Sequence, residues 1–353
     1  MMDKTLKTKL ALADVAAFNK TMQTYGVKAR ILMRNNEEAR ANCKVYPASC
    51  CIYAVTIFGT GRFEDVYKYK AELRANVASA RKAAGFYDKN LSLRFDTEPF
   101  LTLEIDGPPG YLLEYLPAEP VRYQAPVGHV YTIEGAQPMI YDLEKHHQAL
   151  VAAVSGHGKS YLLRNCVTGI VHSTTPKELE LLCIDFKNTD LAPYKLLPHC
   201  KQFAYKTEDA NEIIENLRLE VQARIENDKF VLKKRILLVI DEGAELDRAM
   251  DDTLASIMKM GRSLGVNVLM ATQHPTAAQI GQKTARAFTH RFVGRVDSAQ
   301  SAFFASGIAE SGAELLRKPG SFLYVFGGQI ERFQTFNLTK EKEEELLDTR
   351  RKK

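Results

Sequence analysis

Apolar runs and amphipathic stretches alternate along the second part of the chain. Continuous apolar runs predict strands at 149–154, 179–184, 235–240, 267–271, 291–296 and 321–326. Amphipathic stretches predict helices at 160–172, 209–230 and 244–264. Strands that are apolar throughout and separated by helices indicate an α/β fold, with a mostly parallel sheet covered on both faces. Ligands of such folds bind at the carboxyl ends of the strands.

The first part of the chain has a different pattern, which predicts a small α+β domain. Helices are expected at 6–25 and 63–84, and strands at 52–58, 91–95 and 100–105. Five of the 13 prolines then lie between Pro108 and Pro126. Clustered prolines cannot continue a helix or sit in a central strand, so they mark a boundary. We therefore expect a small domain at 1–107, a proline-rich linker at 108–127, an α/β domain at 128–340 and a charged tail at 341–353.

The composition is that of a globular protein with a mild positive charge. The 353 residues are enough for two domains, and 45% hydrophobic and 26% charged residues exclude general disorder. A net charge of +5 permits a polyanionic partner but does not demonstrate one. The six cysteines lack C-x-x-C spacing, which favours reduced thiols. Because the sequence shows no signal peptide and no run near the ~18 apolar residues that span a bilayer, we expect a cytoplasmic protein without a membrane span.

One segment has the pattern of a phosphate-binding loop. It matches G-x-x-x-x-G-K-[ST] between an apolar run and a helical stretch, except that Ala153 stands at the first glycine. This arrangement directs backbone N–H groups and the positive end of a helix dipole at one point. Lys159 would reach the β- and γ-phosphates, and the Ser160 hydroxyl would bind Mg²⁺. The predicted nucleotide-binding residues are Ser155, Gly156, His157, Gly158, Lys159, Ser160 and Tyr161.

Polar residues follow two further predicted strands. Asp241 can hold a water of the Mg²⁺ shell, and Glu242 can polarise the water that attacks the γ-phosphate. The pair favours hydrolysis over binding alone, although a strand that ends at an acidic helix cap gives the same pattern. Gln273 would emerge at the same edge of the sheet, either to detect the γ-phosphate or as a simple turn residue before Pro275.

Three arginines are candidates for stabilising phosphate charge across a subunit interface. The guanidinium group stays charged and binds phosphate bidentately. Arg262, Arg291 and Arg295 are expected nearest to the catalytic edge of the sheet. A surface or structural role is the alternative for each of them.

Several motifs, in order, resemble those of the FtsK/SpoIIIE branch of the FtsK–HerA superfamily of DNA-pumping ATPases. The segment Leu182-Cys-Ile-Asp-Phe-Lys187 resembles the family's strand ending in Asp-x-Lys, and Asp241-Glu-Gly-Ala-Glu-Leu246 is similar to its Walker B segment. The segments 138–160, 219–224 and 261–275 are also similar, as is the small domain before the linker. The resemblance implies a RecA-like P-loop NTPase motor domain with a mostly parallel sheet, preceded by a small α+β domain.

The resemblance also implies roles for individual residues. It supports Lys159 and Ser160 as phosphate and Mg²⁺ ligands, and Asp241 and Glu242 as the Walker B pair. Gln273 corresponds to a γ-phosphate sensor, and Arg262 and Arg291 to candidate fingers that act on a neighbouring subunit. His274 and Ala299 stand where the family has arginines, so these two positions do not support a finger.

By this resemblance we expect a ring-shaped, hexameric motor that uses ATP and Mg²⁺ to translocate double-stranded DNA. Lys187, Lys259 and Arg262 are candidate DNA contacts, with solvated surface charge as the alternative. The family's membrane helices and winged-helix domain are missing from the sequence. We therefore expect a loading or orienting partner, or movement without preferred direction, as suits a mobile element. The alternatives are a DNA packaging or conjugative coupling ATPase, and a nucleotide-dependent scaffold or replication factor that does not translocate.

Overall fold

A computed structural model of the chain describes residues 2–33, 42–46, 48–86, 88, 91–97, 101–108, 112–115, 119–227 and 231–351. Contacts divide the chain into two compact units: unit 1 comprises Met1–Leu113 and His129–Gln137, and unit 2 comprises Glu114–Gly128 and Pro138–Lys353. Parts of the predicted strand 100–105, helix 209–230, linker and tail lie outside the described residues. The domain boundaries expected from the sequence stay a prediction.

Unit 1 contains helices and a small antiparallel sheet. The helices are α1 (Lys4–Thr24), α2 (Phe63–Lys68) and α3 (Lys70–Ala83). The strands are β1 (Ala29–Arg30), β2 (Cys43–Val45), β3 (Cys50–Ala54), β4 (Thr56–Ile57), β5 (Leu93–Asp96) and β6 (Thr102–Asp106). The order β2-β3-β6-β5 forms the sheet, and β1 pairs with β4. The buried Arg81 guanidinium donates to Asp14, which also accepts from the Tyr53 hydroxyl at 2.6 Å, so this polar network is part of the core.

A ten-stranded sheet extends through the rest of the described chain. Its strands are β7 (Gln124–Tyr131), β8 (Ala136–Asp142), β9 (Gln148–Ala152), β10 (Leu179–Asp185), β11 (Cys200–Ala204), β12 (Arg235–Asp241), β13 (Val266–Thr272), β14 (His290–Val293), β15 (Ser321–Phe326) and β16 (Gln329–Thr335). The order is β11-β10-β12-β13-β9-β14-β15-β16-β7-β8. The six strands from β11 to β14 in this order run parallel, and β15 is antiparallel to both β14 and β16. Every residue of β9, β12 and β13 is buried, as expected for central strands between helices.

The helices of unit 2 connect these strands. They are α4 (Lys159–His172), α5 (Thr207–Glu226), α6 (Asp251–Gly261), α7 (Ala277–Ile280), α8 (Gln282–Ala287), α9 (Ala299–Ser306) and α10 (Lys340–Arg351). The tail is therefore helical, and its Glu343 is buried against Arg164 and Tyr194. No helix in the described ranges is both long enough and apolar enough to cross a bilayer.

Two sequence-based expectations about the elements of unit 2 are wrong. The predicted helix 244–264 begins only at Asp251, because Glu242 has a left-handed φ of 63° and the Asp247 side chain accepts from Ala249 N–H in a local turn. The sequence predicts a linker at 108–127 because prolines are disfavoured in central strands. Pro126 nevertheless lies in β7, which has β16 and β8 as neighbours. A proline removes a single ladder hydrogen bond, which an eight-residue strand tolerates.

Candidate active site

The segment between β9 and α4 forms the predicted phosphate loop. Gly156 and Gly158 have φ values of 77° and 96°, which side chains with a Cβ rarely adopt. A Cβ on Gly158 would also lie 3.0 Å from the backbone of Gly320. The residues with positive φ do not include Ala153, so alanine is compatible with the backbone at the motif's first position. The loop leads into the first turn of α4, where free N–H groups and the helix dipole favour an anion.

Lys159 and Asp241 lie at the centre of the site. The Lys159 ammonium donates a hydrogen bond to Asp241 Oδ1, and their side chains are only 7% and 2% exposed. Burial raises the pKa of Asp241 and the neighbouring acids Asp190 and Asp185 add to the rise, while the charge of Lys159 opposes it. The lysine of the loop and the acid that ends β12 are therefore in direct contact at one edge of the sheet.

Glu242 is held in a strained and well-defined position. Its φ of 63° is unusual for a residue with a side chain, and such strain is concentrated at functional sites. The carboxylate Oε1 accepts from Thr272 Oγ1 and from Gln273 N–H, both at 3.0 Å. Glu242 Oε2 also lies 3.9 Å from the Lys187 ammonium. The structure thus brings Glu242, Gln273 and Lys187 together at the carboxyl edge, where Lys187 faces a carboxylate.

Two acids of the site were not found by reasoning from the sequence. The Ser160 hydroxyl donates to Asp190 Oδ2. Asp190 is placed there by a tight loop around the fully buried Asp185, whose carboxylate accepts from the N–H groups of Lys187, Thr189 and Leu191 at 2.8–3.2 Å. The Asp-x-Lys motif was a visible signal for Asp185, but nothing in the sequence indicated that the loop returns Asp190 to Ser160.

Basic residues line the other side of the loop. Arg295 follows β14, and its carbonyl accepts from Val154 N–H at 2.8 Å. The Gly320 N–H donates to His157 O at 3.0 Å. Burial lowers the pKa of His157, and the positive charges of Arg295 and Arg317 lower it further. Arg295 thus lies at the catalytic edge as expected, and Arg317 is a neighbour that the sequence pattern did not reveal.

Arg262 lies at the opposite edge of the sheet, which corrects the expectation that it is near the catalytic edge. It belongs to the turn Arg262–Leu264 directly before β13, and the exposed Lys259 is one turn earlier. Since β13 has seven residues, this turn is about 20 Å from the carboxyl end of the strand. Arg262 is close enough to His147 for its charge to add to the effect of burial in lowering the His147 pKa. From this edge the Arg262 side chain is too far away to reach the phosphate loop of its own chain.

Arg291 has backbone partners within its own unit. Its guanidinium donates to the carbonyls of Phe304, Ala305 and Ala285 at 2.8–3.1 Å. These contacts connect β14 to α8 and α9, which is a bracing role. The role of Arg291 as a finger stays a prediction. The role of Tyr161 in nucleotide binding also stays a prediction, and the Arg164 guanidinium lies 4.9 Å from the centroid of its half-exposed ring.

Residues 117–231 match the model of the FtsK/SpoIIIE family. This segment, about a third of the chain, is similar to that family. Similar curated proteins include the DNA translocase FtsK of Staphylococcus epidermidis, 26% identical over 239 residues that cover 60% of this chain and 30% of the relative. The DNA translocase SftA of Bacillus subtilis is 26% identical over 215 residues, covering 54% of this chain and 22% of the relative. The matched part of this chain thus spans less than a third of the length of these relatives.

Solved structures confirm the expected RecA-like P-loop fold. The pCW3 conjugation coupling protein TcpA, determined with ATPγS, aligns with a TM-score of 0.59 and 18% identity over 96% of this chain and 99% of its own. The cytoplasmic domain of the type VII secretion ATPase EccC of Thermomonospora curvata aligns with a TM-score of 0.53 and 21% identity, over 67% of this chain and 32% of its own. The fold is that of P-loop ATPases.

Proposed function

We propose that this protein hydrolyses ATP with Mg²⁺ and uses the energy to translocate double-stranded DNA. The observation that carries the proposal is the convergence of Lys159 on Asp241 beside the strained Glu242. The similarity to the FtsK/SpoIIIE family and the DNA translocases among the curated relatives support DNA as the substrate.

The oxygen atoms around Ser160 fit a magnesium ion. The Ser160 hydroxyl and the carboxylates of Asp190 and Asp241 gather at the start of α4, and Mg²⁺ binds oxygen ligands together with substrate phosphates. Bound Mg²⁺ would neutralise charge on the phosphates. Lys159 would exchange Asp241 for phosphate oxygens, which leaves Asp241 to face the magnesium position.

Glu242 is the proposed base of the reaction. Its contacts with Thr272 and the Gln273 backbone fix the carboxylate at the edge where a γ-phosphate would lie. A carboxylate held in this way can orient and polarise an attacking water. The hydrogen bond from Gln273 N–H also connects the base to Gln273. Through this residue, the presence or absence of the γ-phosphate would affect β13.

The proposed working form is a homo-hexameric ring. Arg262 lies about 20 Å from its own phosphate loop, as required of a finger that completes a neighbour's site. Lys259 and Arg262 share this edge and remain candidate DNA contacts. Lys187 is a weaker candidate, because it is 3.9 Å from Glu242. A cytoplasmic location, an orienting partner and an origin in a mobile element belong to the same proposal.

Displacement of a triplex-forming strand from duplex DNA tests translocation directly. The parent protein should strip the third strand with ATP and Mg²⁺, and the Glu242→Gln variant should bind ATP but leave the triplex intact. Rapid hydrolysis without any displacement would refute translocation and favour a DNA-bound scaffold or replication factor.

A conjugative coupling ATPase is the second candidate. It is favoured by the alignment with TcpA, which covers nearly the whole of both chains. A packaging ATPase is a related alternative. Stimulation of ATP hydrolysis by single-stranded DNA over an equal mass of duplex would support the coupling role, whereas stimulation by duplex would support the proposed translocase.

A further inference from the structure

One face of unit 1 combines exposed aromatic rings with basic side chains. The face is built by the end of α1, the β1–β4 ribbon and α2, and we name it the aromatic–basic face. Its exposed members are Tyr25, Lys28, Arg30, Phe58, Arg62 and Lys68. Unit 1 as a whole has more lysines and arginines than acids, and it carries most of the positive excess of the chain.

The rings are arranged for further stacking. Tyr25 stacks on Tyr69 with centroids 4.2 Å apart and planes 16° apart. Tyr25 is nevertheless 42% exposed, and Phe58 is 45% exposed. Large exposed rings are unusual when they are grouped on a small domain, because each would gain free energy from burial. The group therefore indicates a surface that another molecule covers.

The basic side chains surround these rings. Lys68 lies 5.5 Å from the centroid of Tyr69, and the Arg30 guanidinium lies 5.4 Å from that of Phe58. The Lys28 ammonium donates to Thr60 Oγ1 at 2.9 Å, across a surface pocket that Lys68 also lines. Lys68 and Arg30 are thus held beside rings, and Lys28 is held by a hydroxyl group.

Among the described residues around the pocket, acids do not balance these cations. Asp65 lines the same pocket, and its carboxylate accepts from Arg62 N–H at 3.1 Å as part of the start of α2. Glu64 is the other exposed acid of this first turn. The aromatic–basic face therefore keeps a net positive charge, and its complement is an anionic molecule with flat apolar groups.

We propose that the aromatic–basic face binds single-stranded DNA. Phosphates would contact Lys28, Arg30 and Lys68, and unpaired bases would stack on Tyr25 and Phe58, since stacking platforms with flanking cations bind single strands with little sequence preference. This binding is separate from the proposed motor function, because it involves neither the phosphate loop nor a nucleotide.

Fluorescence anisotropy of the full chain with a labelled oligothymidine, without ATP and Mg²⁺, tests the inference. The double variant Lys28→Ala and Lys68→Ala should weaken binding about 10-fold or more and reduce the slope of log K against log salt by about 1.4. Tyr25→Leu should weaken binding by about 5-fold or more, because it removes a stacking ring but keeps apolar contact with the domain.

The matched control is the double variant Lys4→Ala and Lys9→Ala. These two lysines lie at the other end of the 21-residue α1, up to about 30 Å from Tyr25. Their substitution removes the same amount of positive charge. Equal weakening by both double variants would overturn the inference, because it would show a general charge effect. An unchanged affinity of Tyr25→Leu would overturn the stacking contact.

Two further measurements separate the alternatives. Anionic vesicles of phosphatidylserine that bind the parent protein while the oligothymidine does not would overturn the inference in favour of a lipid surface. Thermal unfolding and ATP hydrolysis without DNA should be unchanged in all these variants. A Lys28 and Lys68 variant that loses oligothymidine binding yet still displaces a triplex would support the face and leave the motor proposal intact.

Discussion

The ammonium group of Lys159 donates a hydrogen bond to the carboxylate of Asp241, across a gap of 82 residues in the sequence. Both side chains are nearly inaccessible to solvent, and burial is the main cause of the raised pKa of Asp241. The charged form of each side chain is therefore stabilised by the other. A phosphate that replaced Asp241 as the partner of Lys159 would change the electrostatics of the whole sheet edge.

Replacing the lysine tests its role in phosphate binding. Lys159→Ala should weaken binding of a non-hydrolysable ATP analogue about 10- to 100-fold, because one charge-assisted contact to phosphate is lost. Isothermal titration calorimetry measures the change, and thermal unfolding checks that the variant is folded. The exposed Lys177→Ala is the matched control and should bind like the parent. Parental affinity in Lys159→Ala would contradict the assignment.

The isosteric change Glu242→Gln separates binding from hydrolysis. A glutamine can still accept from Thr272 and Gln273 N–H through its amide oxygen, so the fold and ATP binding should be kept. Single-turnover hydrolysis should fall about 100-fold or more, because the amide cannot take up a proton. Glu245→Gln, an exposed position three residues later, should hydrolyse normally. Parental turnover in Glu242→Gln would rule out this residue as the base.

Asp190→Asn tests the acid that holds Ser160. The Mg²⁺ concentration at half-maximal nucleotide binding should rise about 10-fold, as is typical when an outer carboxylate of a metal site is lost. Binding of nucleotide in EDTA should not change. The exposed Asp209→Asn serves as the control. If Asp190→Asn leaves the Mg²⁺ dependence as it is in the parent, Asp190 only orients Ser160 in the nucleotide-free protein.

Arg262 and Arg291 can be distinguished by mixing subunits. Arg262→Ala should bind ATP normally but hydrolyse it slowly, and mixing it with Lys159→Ala subunits should restore part of the activity, because an intact site then meets an intact finger. Arg291→Ala should instead lower the melting temperature, since three backbone carbonyls lose their donors. No recovery in the mixture would argue against action on a neighbouring subunit.

Two buried histidines predict loss of stability in acid. Burial lowers the pKa of His146 and that of His290 to about 4, from an ordinary value of 6.5, and their rings are 4.9 Å apart. Between these pH values the unfolded chain binds more protons than the folded protein. Stability is therefore complete above about pH 6.5 and is lost as the pH falls towards 4, by about 1–3 kcal/mol per histidine.

Urea unfolding at pH 7 and pH 4.5 measures this loss. His146→Gln should reduce the difference between the two pH values, because the amide oxygen can accept the Asp142 N–H bond that His146 Nδ1 now accepts at 2.8 Å, but cannot titrate. If the free energy of unfolding differs between pH 7 and pH 4.5 as much in His146→Gln as in the parent, other groups cause the acid sensitivity.

The phosphate loop, the strand directly before it and the acids at the end of β12 could be predicted because their signals are local. Glycines at two backbone positions, a lysine and a hydroxyl at the start of a helix, and an apolar run ending in Asp241 and Glu242 each lie within a few consecutive residues. A mostly parallel sheet follows from the alternation of apolar runs and helices, and parallel strands bring their carboxyl ends to one edge.

The tertiary structure decided what depends on strand order and on loops that return. Asp190 reaches Ser160 only because the loop folds around the buried Asp185. Arg262 lies at the amino edge because β13 runs parallel to β9, although the residue is close to Gln273 in the sequence. Local patterns specify which backbone conformation a segment adopts, but the distance between side chains on different strands depends on the pairing of the whole sheet, which no single segment encodes.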